Sequence, residues 1–186
     1  MILAGPANGQ IYVGMGNSYP SSWLGRYCNG ICPVDTWNHV VVTYDGSSDV
    51  SGVKAYFNGV EASYTDQYNT LSSGSITNTA PHKIGYKDTT YEPLNGQLAH
   101  MAMWNKVLSL AEAQEVYASG SLTLDLTTVS CAANLLGWWP LGARDAYPTA
   151  TDRSGNGYHG TMTNMAANDI VARRYERAVS AKYVVF

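Results

Sequence analysis

Thr36-Trp37-Asn38-His39-Val40-Val41-Val42-Thr43-Tyr44-Asp45-Gly46 is the stretch on which the fold turns. Its β-branched and aromatic residues suit a half-buried pleated surface, and Asp45-Gly46 supplies a turn at its end, so the run reads as a strand. A second run, Gly52-Val53-Lys54-Ala55-Tyr56-Phe57, leads straight into Asn58-Gly59. Both residues of that pair tolerate positive φ, as a two-residue hairpin turn requires, and Val60 to Tyr64 therefore folds back as the partner strand. Farther along, His82 to Tyr86 and Gly96 to Trp104 read as two short strands separated by a polar loop containing Pro93.

One stretch reads as helix. Ser109-Leu110-Ala111-Glu112 has the spacing of a capping box, and the turns after it run through Ser119 to stop at Gly120. Strand-like segments resume at Leu122 to Val129, Leu135 to Leu141, Tyr158 to Thr163 and Ala178 to Phe186, broken by the Gly/Asn-rich turn Asp152-Arg153-Ser154-Gly155-Asn156-Gly157. Strands punctuated every 8–12 residues or so indicate a sandwich or barrel rather than βαβ units. The expected fold is all-β, a two-sheet antiparallel jelly-roll sandwich with one short helix.

Composition agrees. The chain has 186 residues, enough for one compact domain with or without a satellite segment, and 45% of them are hydrophobic against 13% charged. Fourteen Tyr, five Trp and eighteen Gly are the materials of strands and tight turns. Eleven Lys and Arg against fourteen Asp and Glu leave a net charge of −3 with no basic stripe, which argues against nucleic acid as a partner. No segment approaches the roughly 20 apolar residues that a membrane helix needs, so a soluble protein is expected. The start, MILAGPANGQ, lacks the basic region and apolar core of a secretory signal. The expectation is that a signal was removed or that the protein reaches its place of work by another route. Cys28, Cys32 and Cys131 are an odd number; a Cys28–Cys32 disulfide is one option, and buried or idle thiols are the default.

The ordered blocks resemble the laminin G-like and pentraxin-like concanavalin A sandwich domains. The resemblance runs through Trp37 to Gly46, Ala55-Tyr56-Phe57-Asn58-Gly59-Val60, Ile84-Gly85, Leu94-Asn95-Gly96-Gln97-Leu98, and Met103 to Ser109 with the helix to Tyr117, covering about residues 36–119. Gly137-Trp138-Trp139-Pro140-Leu141 and Asp152 to Thr161 are similar to the opening of such a domain, which normally comes first. Here they follow the body, and the N-terminus offers little room for the usual early strands. The division expected is a laminin G-like body over 1–133 and a segment 134–186 that either completes the sandwich as permuted opening strands or pairs with a neighbouring subunit.

Chemistry is sparse. Glucanases of this fold carry closely spaced paired carboxylates, because retaining hydrolysis needs two carboxyl groups about 5–5.5 Å apart. Glu61 with Asp66, and Glu112 with Glu115, do not make such a cluster; the latter pair suits capping and solvation. There is no G-x-S-x-G elbow and no H-x-x-x-H pair, and His39 and His100 fall in strand patterns. No catalytic, cofactor-binding or metal residue is assigned. The resemblance implies calcium in many relatives, for which Asp152 and Asn156 would be the donors, although a plain turn explains the same residues. Glycan binding would use exposed rings backed by amide and carboxylate side chains, with Tyr19, Trp23, Tyr27, Tyr86 and Tyr91 as candidates, while Trp37, Trp104, Trp138 and Trp139 pack the core. The expected function is a non-enzymatic adhesion or assembly module on a virion surface or outside the cell, as a capsid decoration or accessory protein that meets other protein subunits. The competing expectation is a lectin-like module of a secreted or cell-surface protein.

Overall fold

The strand read at Trp37 lies in the middle of the molecule and is covered on both faces. The computed structural model describes residues 2–4, 10–30, 33, 36–71, 76, 81–85, 96–142, 144–170 and 182–185, with backbone alone at 2–4 and 182–185. In chain order the elements are β1 (Ile2–Ala4), β2 (Gln10–Ser18), β3 (Ser22–Asn29), β4 (Trp37–Tyr44), β5 (Val53–Phe57), β6 (Val60–Glu61), β7 (Ser63–Asn69), β8 (Met101–Trp104), α1 (Leu110–Tyr117), β9 (Leu135–Trp139), β10 (Thr149–Ala150), β11 (Gly160–Thr161) and β12 (Lys182–Val185). One sheet runs β1-β2-β3-β7 and a second runs β12-β4-β5-β6, while β8-β9 and β10-β11 are separate two-stranded sheets. Among the described residues all pairings are antiparallel except β12 on β4, which is parallel, with Lys182 opposite Trp37 and Val185 opposite Val40.

Strand parity explains the layers. Val40 faces Phe57, Val42 faces Ala55 and Tyr44 faces Val53 across the β4–β5 ladder. These side chains meet Ile11, Val13 and Met15 of β2 and Leu24 and Cys28 of β3, and together they form the core between the sheets. The alternate residues, Val41 and Tyr56, point the other way, into a second core with Ala102, Leu108, Ala113, Val116, Leu126, Val129, Leu135 and Trp138. A half-buried antiparallel strand would alternate apolar with polar; the unbroken Val40-Val41-Val42 run is the signature of burial on both sides. The hairpin turn is as expected, with Asn58 at φ 50° and Gly59 at φ 78°.

Several expected boundaries are corrected. The N-terminal region, expected to have little room for early strands, contains β1, β2 and β3. Residues 122–129 form turns, not a strand, because Asp125 accepts from the N–H and hydroxyl of Thr127 and closes the backbone locally. Leu126 and Val129 still anchor that segment in the second core. The strand expected from Gly96 is confined to Met101–Trp104, since His100 sits at φ 54° and breaks the extended run. Residues 82–85 are not a strand, and Tyr86 lies outside the described residues. The segment from Val60 to Tyr64 divides between β6 and the start of β7. The capping box forms as expected: Ser109 Oγ accepts from Glu112 N, and Glu112 Oε2 accepts from Ser109 N at 2.9 Å. The helix ends at Tyr117, earlier than expected, because Ala118 turns left-handed and donates to Gln114 and Glu115 carbonyls.

Candidate functional site: an aromatic face on the four-stranded sheet

On β2 and β3 the residues that alternate with the core face outward. Tyr12 lies opposite Tyr27, Gly14 opposite Gly25 and Gly16 opposite Trp23, with Tyr68 of β7 beside Gly25. Glycine and large aromatics are matched for a steric reason. A Cβ built on Gly14 would lie 2.7 Å from Trp23 Cζ2 and 2.9 Å from Tyr12 Cε1, and one on Gly25 would strike the Tyr12 hydroxyl. The rings lie across strands stripped of side chains. Tyr12 and Tyr27 have centroids 5.1 Å apart; Tyr19 packs edge-on against Trp23 at 5.7 Å and against Tyr68 at 5.3 Å.

Hydrogen bonds hold the rings in place. Trp23 Nε1 donates to the Tyr12 hydroxyl at 3.1 Å, and the Tyr19 and Tyr68 hydroxyls share a bond at 2.9 Å. That shared bond pushes the Tyr19 phenol up to about 12, and burial raises Tyr12, so neither ionises near neutrality. At one end of the face an amide row begins, with Gln10 Nε2 donating to Asn29 Oδ1 at 2.6 Å and Asn29 Nδ2 to Thr65 Oγ1 at 3.2 Å. Gly14→Ala is expected to destabilise the fold by about 1–3 kcal/mol through this overpacking and to tilt the Tyr12 and Trp23 rings; urea unfolding and near-UV circular dichroism measure the two effects.

Of the five expected glycan candidates, the structure brings Tyr19, Trp23 and Tyr27 together on this face. Trp23 is corrected: it is 8% exposed and serves as the floor, whereas Tyr19 is 63% exposed. Tyr86 and Tyr91 lie outside the described residues. Tyr12 and Tyr68 were missed, though the Tyr12-x-Gly14-x-Gly16 alternation carried the signal for the first of them. Among the four tryptophans expected in the core, Trp138 is buried and Trp37, Trp104 and Trp139 are half-buried.

The sheets are clasped by a buried ion. Arg26 enters the sandwich core, donating through Nε to Asp66 Oδ1 at 2.7 Å and through Nη1 to Val53 O at 2.6 Å, with its guanidinium 4.2 Å from the centre of the Tyr64 ring. The remaining flagged carboxylates also have structural partners. Glu61 pairs with Lys54 at 3.3 Å, Glu112 caps α1 and pairs with Lys106, and Glu115 holds Ser130.

Asp152 and Asn156 close their own turn onto β9. Asp152 accepts from Trp138 N, Ser154 N, Ser154 Oγ and Tyr158 N, and Asn156 Nδ2 donates to the Leu135 and Leu136 carbonyls. Burial pushes the Asp152 carboxyl up, but these donors, Trp138 first, outweigh it and hold it below the usual range. The turn occupies the free edge of β9, and both carboxylate oxygens of Asp152 accept hydrogen bonds within it. Among the described residues no three His, Cys, Asp or Glu side chains come together as a metal cluster. Asp152→Ala is expected to cost about 2–4 kcal/mol, since it strands buried donors; thermal unfolding reads it. Cys28 and Cys131 are buried free thiols, and burial pushes Cys28 up to about 12; Cys32, the other half of the disulfide option, lies outside the described residues.

The layered sheets, the aromatic face and the carboxylates held in structural roles define a β-sandwich binding domain. A family model for the concanavalin A-like lectin/glucanases superfamily, of the laminin G type, matches residues 2–114, and the chain belongs to that family. The match begins in β1, well before the Trp37 block, and ends within α1. No characterised protein and no solved structure matches the chain. Domains of this family are typically binding modules for proteins or glycans, and typically extracellular. Among the described residues no helix is long and apolar enough to cross a membrane.

Proposed function

We propose that this chain is a non-enzymatic adhesion module that holds carbohydrate on the outer face of β2, β3 and β7. The observation that carries the reading is the group Tyr12, Tyr19, Tyr27 and Tyr68 over the Trp23 floor, bordered by Gln10, Asn29 and Thr65. The apolar face of a sugar ring stacks on such rings, and its hydroxyls need the directional partners that amides and threonine supply. The face is an open sheet surface, which suits holding a chain rather than enclosing a reacting bond. Attachment to a larger body, as an accessory protein on a virus particle or another extracellular surface, is the assembly half of the proposal. The low charge and the exposed Met103 and Leu136 of the β8–β9 sheet support it.

A glycan array followed by calorimetry tests the carbohydrate reading. Binding should occur without release of cleaved sugar, and Tyr19→Ala and Tyr27→Ala should each weaken it at least about tenfold, or ~1.4 kcal/mol. A folded chain that retains no glycan, or tyrosine variants that bind as well as the parent, would overturn it. Mass measurement of the native assembly tests the attachment reading.

A further inference from the structure

Tyr19 sits on the turn between β2 and β3, and Tyr68 lies near the end of β7 in the same sheet. They are 49 residues apart in the chain, yet their hydroxyls meet at 2.9 Å and their ring centroids lie 5.3 Å apart at 75°. The surrounding structure holds this meeting in place. Thr70, just past β7, donates through Oγ1 to the Pro20 carbonyl at 2.6 Å and through N to the Trp23 carbonyl at 2.9 Å, so the turn is tied to the strand end that carries Tyr68. Gly25, opposite Tyr68 on β3, leaves room for the ring, since a Cβ there would lie 3.1 Å from Tyr68 Cδ2. Tyr19 is 63% exposed and Tyr68 half-buried, so solutes reach the pair from outside.

The geometry points to an oxidative cross-linking site: given hydrogen peroxide and a haem peroxidase, Tyr19 and Tyr68 couple into one dityrosine that staples the β2–β3 turn to β7. Each phenol gives up one electron and its hydroxyl proton, and one hydrogen peroxide takes the two electrons and two protons to become two waters. The radicals carry unpaired density on the ring carbons ortho to oxygen. A carbon–carbon bond forms between one such carbon of each ring, and the two hydrogens displaced there move as protons to the oxygens, which restores both phenols. The chain loses two hydrogens in all.

Contact between the hydroxyls is what selects this pair. The ortho carbons flank the carbon that bears the hydroxyl, so oxygens in contact set the reactive carbons of both rings side by side, and the rings of a biaryl are twisted rather than coplanar. The shared hydrogen bond also gives the proton of one phenol an acceptor as its electron leaves. Two partners held together in this way react far faster than the same groups meeting by diffusion, so the intramolecular link forms before dimers do. Ring proximity alone would instead couple Tyr12 with Tyr27, whose centroids are 5.1 Å apart. There the Tyr12 hydroxyl is held over Gly25 by Trp23 Nε1 at 3.1 Å, and both residues are fixed on paired strands rather than on a turn. The site is independent of what the aromatic face binds.

Treatment of the dilute full chain with a haem peroxidase and limiting hydrogen peroxide tests the site. The monomer should lose the mass of two hydrogens and gain dityrosine fluorescence, and digestion should release one joined pair of peptides containing Tyr19 and Tyr68. Tyr19→Phe and Tyr68→Phe keep the rings without the phenols, and each should lower the intramolecular yield at least about tenfold. The stapled chain should melt at least about 5 °C above the untreated one, because the link closes a loop spanning 49 residues of the unfolded chain. Coupling of Tyr12 with Tyr27 instead, a yield retained in either variant, dimers alone or no link at all would each overturn the inference, as would a linked chain with no rise in melting temperature. Where neither variant folds, the joined peptides of the parent chain decide: Tyr19 with Tyr68 supports the site, and any other pair refutes it.

Discussion

Asp66→Ala is expected to destabilise the chain by about 3 kcal/mol, far more than a half-exposed surface carboxylate normally contributes. The reason is its partner. The Asp66 side chain is 48% exposed, but that of Arg26 is 7% exposed, and the two meet at 2.5 Å. Removing the carboxylate leaves a guanidinium inside the sandwich core with the Val53 carbonyl and the Tyr64 ring as its remaining partners. Removing one member of such a pair costs more than the pair was worth, because the buried charge is left behind. Arg26→Ala should be at least as damaging, since it opens a void and strips the Val53 carbonyl of its donor. Arg26→Met, which removes the charge and keeps most of the volume, should be the mildest of the three. Urea unfolding with unchanged m-values measures all three, and an Arg26→Met variant as unstable as Asp66→Ala would show that packing, not buried charge, governs the site.

Deleting residues 177–186 is expected to abolish soluble, cooperatively folding protein. β12 pairs with β4 from Trp37 to Val40, at the strand both cores are built on. Its loss would open that edge and leave the backbone groups of an apolar strand to pair with other chains. The deletion also tests our proposal that 134–186 completes the 1–133 body within one chain, as permuted opening strands. The pairing of β9 with β8 and of β12 with β4 supports that proposal. A truncated protein that keeps a cooperative melt and a monomeric mass would refute the closure.

The central hairpin was legible because its signals are local. β-branched density, Asn58-Gly59 and the Ser109–Glu112 spacing each act over a few residues, and no distant contact contradicts them. The first three strands were less legible. Tyr12-x-Gly14-x-Gly16 alternates rings with glycines instead of apolar with polar residues, so the period-two pattern is present without the usual contrast. The error at 122–129 has the opposite origin: Leu126 and Val129 look like strand residues, yet they are anchors on turns that the Asp125 side chain closes.

Sequence alone determined the all-β class, the turn at Asn58-Gly59, the single short helix and the lack of a closely paired set of carboxylates, because each depends on residue type and near spacing. Tertiary structure decided which face of β4 looks into which core, that Trp23 is a floor and Tyr19 a surface, that Asp152 seals a strand edge, and that the Tyr19 hydroxyl meets that of Tyr68. Those outcomes depend on how strands far apart in the chain register against one another. A shift of one residue reverses every side chain, and no local run of sequence carries that information.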